Sequence, residues 1–135
     1  MNLLCSKLLA VDDSVLLHHV YDLVFSDHRR RGMQLLHAPN GKAALEILDR
    51  NPDTECILLD LVMPVMDGPA MLALLRKSPH RDIPVIIVSS KGHERDISAA
   101  LAGGASAYLT KPVDAVKLKR LIRALVARRK APPRP

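Results

Sequence analysis

Three aspartates stand directly after two apolar runs of this 135-residue chain. Asp12 and Asp13 follow residues 8–11, and Asp60 follows residues 56–59. Crowded carboxylates repel one another, so such a group needs either a cation or raised pKa values. An all-oxygen site with room for water suits Mg²⁺, with Mn²⁺ as a substitute. One aspartate after a strand is often only a helix cap, but three together predict a metal site.

Two further apolar runs lead to groups that suit the handling of a phosphoryl group. Ser89 directly follows residues 85–88, and Lys111 lies two residues beyond residues 107–109. A carboxylate nucleophile, a metal, a hydroxyl donor and an ammonium group are what phosphoryl transfer requires. Ser90 is the weaker candidate for the hydroxyl, because alternation along a strand would point it to the opposite side.

The residues around these groups predict the elements that position them. Five apolar runs, at residues 8–11, 33–36, 56–59, 85–88 and 107–109, alternate with five segments in which apolar residues recur at helical spacing. Residues that suit helix ends stand between the runs: Ser14, Asn40, Asp67 and Asp114 as N-caps, Pro69 at a helix start and Gly103-Gly104 at a helix end. This alternation predicts an α/β fold, in which helices cover both faces of a parallel sheet.

The composition of the runs predicts the strand order. The first, third and fourth runs are uninterrupted and apolar, as expected for strands that are buried on both faces. The second contains Gln34 and leads to His37, and the fifth is flanked by Ser106 and Thr110, so these two suit the edges. The result is a flavodoxin-like (βα)5 three-layer sandwich with a five-stranded parallel sheet of order 2-1-3-4-5. Its ligand crevice lies between strands 1 and 3, where the three aspartates converge.

The composition also limits the class of protein. Hydrophobic residues make up 48% and charged residues 25% of the chain, which is typical of one globular domain. No apolar run approaches the roughly 20 residues of a membrane span, and residues 1–7 lack the features of a signal peptide. We therefore expect a cytoplasmic protein that does not contact a membrane. Cys5 and Cys56 lie in or beside predicted strands and are interpreted as buried, inert thiols.

The net charge of +6 comes largely from two basic clusters, at residues 29–31 and 128–130. Basic clusters can bind nucleic acid through its phosphates, but the aromatic residues that stack on single-stranded bases are nearly absent. We expect a solvated surface loop at the first cluster, a solubilising helix end at the second, and no nucleic-acid partner. Residues 1–128 are predicted to form the domain, and residues 129–135 a basic, proline-rich tail or the start of a linker.

In these motifs the sequence resembles the receiver domains of bacterial two-component response regulators, in particular the single-domain regulators of chemotaxis. The matching stretches are residues 9–14, 60–68, 88–90 and 111–112, together with residues 103–108 before the lysine. They occur in the family's order and spacing, and the resemblance covers residues 6–128.

The resemblance implies a role for each residue of the site. Asp60 resembles the phosphoacceptor, which receives a phosphoryl group from a sensor histidine kinase or a histidine phosphotransfer protein. Asp13 and Asp60 resemble direct ligands of Mg²⁺, and Asp12 a ligand that acts through water. The backbone carbonyl of Val62 corresponds to the third protein ligand. Lys111 resembles the lysine that pairs with the phosphoryl group, and its bond to Pro112 resembles a cis peptide of the family.

The resemblance also implies a switch. Ser89 occupies the Thr/Ser switch position and Tyr108 the aromatic switch position. When Asp60 is phosphorylated, Ser89 moves towards the new oxygens, Tyr108 rotates inward, and the population shifts between two packed states. The surface of the predicted fourth helix, fifth strand and fifth helix changes, and we expect the downstream protein partner there. The chain is expected to be a monomer or a weak dimer.

Two alternatives are compared with this function. The chain can be the receiver module of a longer protein, whose DNA-binding or enzymatic output domain is absent from this sequence. Aspartate-nucleophile phosphatases use similar groups on a similar sheet. Such enzymes usually carry an acid–base aspartate two residues after the nucleophile, where this chain has Val62. We therefore expect a signalling switch, which catalyses only its own phosphorylation and dephosphorylation.

Overall fold

The computed structural model describes residues 4–130, in which strands and helices alternate. The elements are β1 (Lys7–Val11), α1 (Val15–Val24), α2 (Ser26–Arg30), β2 (Gln34–Ala38), α3 (Gly41–Arg50), β3 (Cys56–Leu59), α4 (Gly68–Leu75), β4 (Val85–Ser89), α5 (Glu94–Ala102), β5 (Ala107–Thr110) and α6 (Ala115–Lys130). The strands pair in parallel in the order β2-β1-β3-β4-β5. This confirms the predicted flavodoxin-like architecture.

Short polar side chains begin four of the six described helices, at the predicted positions. Each accepts a hydrogen bond from the backbone N–H three residues further on, at 2.9 to 3.2 Å; these caps are Ser14, Asn40, Asp67 and Asp114. Each bond satisfies one of the N–H groups that a helix leaves without a partner at its start. The chain can therefore turn sharply from β1 into α1, which keeps the residues between them at the carboxyl edge of the sheet.

Two separate hydrophobic cores cover the two faces of the sheet. Ile57 and Leu59 of β3 belong to the core beneath α3, α4 and α5, whereas Leu58 belongs to the core beneath α1 and α6. Since successive side chains of a strand point to opposite faces, a strand that is covered on both sides must be apolar throughout. Each such buried side chain contributes about 1.5–3 kcal/mol through its removal from water.

The polar composition of the first basic cluster predicted a loop. In the structure, Arg29 and Arg30 instead lie in α2. The Phe25 N–H donates to the Tyr21 carbonyl at 3.0 Å, and the Arg29 N–H donates to the Phe25 carbonyl at 2.9 Å. Helical hydrogen bonds therefore continue past the end of α1 into α2. The Phe25 side chain is fully buried, and His28 of α2 is buried as well. Packing of these two residues holds Arg29 and Arg30 in α2, a helix additional to the five predicted.

The last helix extends two residues past the predicted domain end at residue 128. The Lys130 ammonium lies 2.5 Å from the Glu55 carboxylate, and the Arg129 guanidinium donates to the Thr54 carbonyl at 3.5 Å. These contacts attach the final turn of α6 to the chain just before β3. Residues 131–135 of the predicted tail lie outside the described residues. Among residues 4–130, no helix has both the length and the apolar character that a membrane crossing requires.

Candidate metal and phosphoryl site at the carboxyl edge of the sheet

Three carboxylates meet where β1 and β3 end. One oxygen from each of Asp12, Asp13 and Asp60 lies within 4.8 Å of the other two. The two strands are neighbours, with Val11 paired to Leu59, so the residues that come after them emerge side by side. Asp12 and Asp60 are only 2% and 7% exposed, whereas Asp13 is exposed. Two of the three carboxylates are therefore largely removed from water. Repulsion between like charges is stronger in this environment than in water.

The Lys111 ammonium lies beside two of these carboxylates. Its Nζ atom is 3.0 Å from Oδ2 of Asp12 and 3.7 Å from Oδ2 of Asp60. The Lys111 N–H donates to the Ser89 carbonyl at 2.8 Å, which positions the lysine at the end of β5. The bond from Lys111 to Pro112 is cis. One ammonium group against three carboxylates leaves an excess of negative charge, which a divalent cation can offset.

The environment of Asp60 disfavours its ionised form. Burial raises the pKa of Asp60, and the charge of Asp12 raises it further. Lys111 and the N–H groups of Leu61 and Val62 act in the opposite direction, and the Leu61 N–H donates to Oδ1 at 2.9 Å. A carboxylate must be ionised to act as a nucleophile. Because the donors are hard oxygens and the excess charge is negative, these residues fit Mg²⁺.

This electrostatic situation predicts that Asp60→Asn raises the free energy of unfolding at neutral pH when EDTA is present. The pKa of Asp60 in the folded protein is above its unfolded value, so the folded state binds the proton more tightly. The contribution of Asp60 to the free energy of unfolding is therefore lost as pH rises through its folded-state pKa. It is regained as pH falls towards the unfolded value, about 3.9. The gain from the substitution should shrink over the same range.

Urea denaturation across this pH range measures the effect. Glu46→Gln is the matched control, because Glu46 is an exposed carboxylate on α3 and forms no ion pair with the other described residues. An Asp60→Asn protein that is less stable than the native chain at neutral pH would contradict the prediction.

The two predicted switch residues contact the same backbone segment. Ser89 ends β4 and is fully buried, and its Oγ accepts a hydrogen bond from the Lys91 N–H at 3.3 Å. Tyr108 is half-buried in β5, and its hydroxyl donates to the Lys91 carbonyl. The backbone N–H and carbonyl of Lys91 therefore connect the Ser89 hydroxyl to the Tyr108 hydroxyl on the edge strand through two hydrogen bonds.

The segment after Asp60 packs closely against β3. Val62, whose carbonyl is the predicted metal ligand, has a side chain that is 54% exposed. The Gly68 N–H donates to the Leu61 carbonyl at 3.1 Å. A Cβ atom at Gly68 would lie 2.8 Å from Cα of Leu61, and still closer to the Asp60 carbonyl oxygen. Only glycine permits this approach, so Gly68 belongs to the framework of the site, although no role for it was predicted.

His18 and His37 contact each other next to the backbone of Asp12, and no pattern in the sequence predicts this pair. Nε2 of His18 is 2.7 Å from the Asp12 carbonyl oxygen, and Nδ1 of His18 is 2.5 Å from Nδ1 of His37. Nε2 of His37 is 2.9 Å from the Asp22 carboxylate. His37 reaches this position because β2 pairs with β1, and His37 stands opposite Ala10. That register is a tertiary property, which explains why the sequence alone does not reveal the contact.

Comparison with known proteins identifies the family. The sequence matches the response regulator receiver domain over residues 8–123. It is 34% identical over 115 residues to the chemotaxis protein CheY1 of Helicobacter pylori, which covers 84% of this chain and 90% of that protein. It is 30% identical over 123 residues to the transcriptional regulatory protein SrrA of Staphylococcus aureus. That match covers 91% of this chain but only 48% of SrrA.

Solved structures share the fold over nearly the whole chain. The signal receiver domain of a signal transduction histidine kinase from Syntrophus aciditrophicus has a TM-score of 0.82 at 29% identity, with 96% of both chains covered. A CheX–CheY–BeF3–Mg²⁺ complex from Borrelia burgdorferi matches with a TM-score of 0.77 at 28% identity, and covers 90% of this chain and 87% of that one. Since both the sequence match and the shared fold span most of its length, the chain belongs to the response regulator receiver domain family of two-component signalling.

Proposed function

We propose that this receiver takes a phosphoryl group onto Asp60, from a histidine kinase or a histidine phosphotransfer protein, and relays that event to a downstream protein. The observation that carries the proposal is the convergence of Asp12, Asp13 and Asp60 with the Lys111 ammonium at one edge of the sheet. The related CheY of Borrelia burgdorferi occurs in a complex with CheX, BeF3 and Mg²⁺, which supports a metal-assisted site of this kind.

The hydrogen bonds of Asp12 support different metal roles for the three aspartates. Both of its oxygens have partners, since Oδ1 accepts from the Ser14 N–H at 2.8 Å and Oδ2 pairs with Lys111 at 3.0 Å. Asp12 would therefore act through water, and Asp13, Asp60 and the Val62 carbonyl would hold Mg²⁺, or Mn²⁺, directly. When bound, the ion supplies positive charge that offsets repulsion among the carboxylates and stabilises the charge on the phosphoryl oxygens.

The phosphoryl transfer itself is carried out by Asp60. A carboxylate oxygen of Asp60 attacks the phosphorus of a phosphohistidine, and the P–N bond breaks as the imidazole nitrogen leaves with the electron pair. The products are an aspartyl phosphate on this chain and a free histidine on the donor. Lys111, with Nζ 3.7 Å from Oδ2 of Asp60, is placed to bind one phosphoryl oxygen. Ser89 supplies a hydroxyl that can donate to another.

The contacts of Lys91 provide a route from Asp60 to the surface. When the Ser89 side chain moves to donate to the phosphoryl group, its oxygen changes position relative to the Lys91 N–H, from which it accepts a long hydrogen bond. The Lys91 carbonyl accepts the bond from Tyr108, so a shift of this backbone changes the position of the ring. Tyr108 lies in β5, between α5 and α6. We propose that the downstream protein binds this α5–β5–α6 surface, which corresponds to the fourth helix, fifth strand and fifth helix of the sequence prediction.

Metal removal tests the proposal. Incubated with Mg²⁺ and a small phosphodonor, the native chain is expected to gain the mass of a single phosphoryl group, because the cation permits Asp60 to be ionised beside Asp12. With EDTA in place of Mg²⁺ the gain should disappear, and excess Mg²⁺ should restore it; intact mass measures both. Equal uptake in EDTA would contradict the metal role. No uptake from either the small donor or a phosphorylated histidine protein would contradict the phosphoacceptor role.

A second arrangement has the receiver attached to an output domain. The chain spans about half the length of SrrA, a transcriptional regulatory protein, so a receiver of this type can belong to a longer chain. In that arrangement the α5–β5–α6 surface would act on the attached domain, and the chemistry at Asp60 would be the same. Phosphatase activity on other substrates is not proposed, because the residue two positions after Asp60 is Val62.

A further inference from the structure

The two arginine-rich clusters, far apart in the sequence, lie at the same end of the fold. The first, residues 29–31, closes α2 just before β2, and the second, residues 128–130, closes α6. The lysine of the second cluster pairs with Glu55, whose other oxygen accepts from the Ser6 N–H at 2.5 Å. The Ser6 carbonyl in turn accepts from the Gln34 N–H at 2.9 Å. Both clusters therefore flank the amino edge of the sheet.

Helix α6 connects the clusters with further positive charge. Its 16 residues include seven lysines and arginines and no acidic residue, and they span about 24 Å. On the side that faces α2, burial lowers the pKa of His28, and the charges of Lys119, Arg31 and Arg123 lower it further. The two helices thus place their cations close enough to act on one imidazole.

On the other side of α6, the basic residues line an open cleft. Arg128 and Arg129 stand there beside Arg81, and the lining includes a single carboxylate, that of Asp82. Arg76 also lines the cleft, but its guanidinium donates to three backbone carbonyls and serves the fold. None of the exposed large apolar side chains lies in this lining.

We name these cations the basic surface: Arg31, Arg81, Lys119, Arg123, Arg128 and Arg129. Among residues 4–130, none of the six lies within 4.0 Å of a carboxylate oxygen. No carboxylate of these described residues neutralises their charges, and Arg31 and Arg129 each donate to a single backbone carbonyl, at 3.4 and 3.5 Å, so their guanidinium groups keep donors for an external anion. The acidic site lies at the opposite, carboxyl edge of the sheet, so an anion bound at the basic surface would leave Asp60 accessible.

We infer that the basic surface binds the phosphate backbone of double-stranded nucleic acid, without sequence preference. Interfaces between proteins depend on aromatic and apolar anchors. In this cleft no aromatic side chain is present, Ile83 and Pro84 are buried, and Leu125 is only partly exposed. Interfaces with nucleic acid are polar and strongly positive, and guanidinium groups pair with phosphate through two parallel hydrogen bonds. A duplex fits better than a single strand, because Tyr21 and Phe25 are buried and Tyr108 lies in β5, so none can stack on bases there.

The sequence predicts no nucleic-acid partner, because each basic cluster by itself is only a short charged segment. A solvated loop and a charged helix end, if separate, give no extended binding surface. The structure places them on adjoining helices at one edge and adds Arg81 from the segment before β4. The resulting length suits several successive phosphates, since each strand of a duplex carries one phosphate for about every 3.4 Å of helix axis.

Fluorescence anisotropy with a labelled short DNA duplex tests the inference on the full chain. The native protein should bind the duplex at low salt. The logarithm of the association constant should fall with log[salt] at a slope of about −5, because each of the six cations contributes about −0.9. Arg123→Glu/Arg128→Glu should weaken binding about tenfold or more and make the slope shallower by about 2. The matched control Lys42→Glu/Arg95→Glu makes the same change in net charge outside the basic surface, and should bind like the native chain.

Several outcomes would overturn the inference. Absence of binding between the native protein and the duplex at low salt would overturn it. Equal losses of affinity in the two double variants would also overturn it, because binding would then depend on net charge alone. Tighter binding to a polyglutamate peptide than to the duplex would indicate an acidic protein partner instead. If Arg123→Glu/Arg128→Glu does not fold, as judged by its unfolding midpoint, Arg81→Glu tests the same surface from a loop position. Duplexes of unrelated sequence should bind equally.

Discussion

Asp60→Asn is expected to gain no phosphoryl group under conditions in which the native chain gains one. The amide nitrogen and oxygen of asparagine are weak nucleophiles, whereas an ionised carboxylate attacks phosphorus. The substitution keeps the shape of the side chain and leaves Asp12, Asp13 and Lys111 in place. Its effect on uptake should therefore reflect loss of the acceptor rather than loss of the fold, and intact mass after incubation with Mg²⁺ and a small phosphodonor measures it.

The control for this experiment is Glu46→Gln, which removes an exposed carboxylate from α3 and should take up phosphate as the native chain does. Uptake by Asp60→Asn at the native level would refute the assignment of Asp60. Fragmentation of the phosphorylated protein would then show whether Asp12 or Asp13 carries the group. Both are near enough to the same crevice for this outcome to be informative.

Gly68→Ala is expected to lower the free energy of unfolding by about 1–3 kcal/mol, the usual penalty for an overpacked position, and to slow phosphoryl uptake. The added methyl group would meet the backbone of Leu61 and of Asp60. Backbone atoms cannot rotate away as a flexible side chain can, so either the end of β3 or the start of α4 must shift. A shift of β3 displaces the carboxylate of Asp60, the proposed phosphoacceptor.

Gly92→Ala provides the comparison for this prediction. A Cβ atom at Gly92 would lie 3.4 Å from Cγ2 of Thr110, an ordinary van der Waals contact. We expect this variant to stay within about 0.5 kcal/mol of the native stability. Urea denaturation of the two variants and their rates of uptake with Mg²⁺ give the two readouts. Native stability and native uptake in Gly68→Ala would show that the close approach of α4 to β3 does not position Asp60.

Much of the fold and the place of the site could be predicted from the sequence because the signals are local. Uninterrupted apolar runs identified the central strands, since strands covered on both faces cannot carry polar residues. Asn40 and Asp67 marked helix starts through a hydrogen bond that spans three residues. The convergence of Asp12 with Asp60 could be inferred once their strands were predicted to be neighbours.

The features that the sequence did not predict depend on contacts between distant residues. The polar segment of α2 has no apolar periodicity, and its packing depends on the burial of Phe25 and His28. The contact between His18 and His37 depends on the register of β1 and β2. The last described turn of α6 is attached to the chain before β3 by a pair between Lys130 and Glu55. None of these contacts leaves a signal in the neighbouring residues.

The two cores on opposite faces of the sheet have a consequence for the evolution of the family. Their buried residues form separate clusters, and β3 contributes alternate side chains to each. Substitutions separated by more than about 7–10 Å, with no shared partner, usually have additive effects. A change in a buried side chain of α1 or α6 therefore needs no compensating change in the buried side chains of α3, α4 and α5, which lie on the other side of the sheet. Each face can diverge towards its own partners, while the carboxyl edge, to which both faces contribute, stays under common constraint.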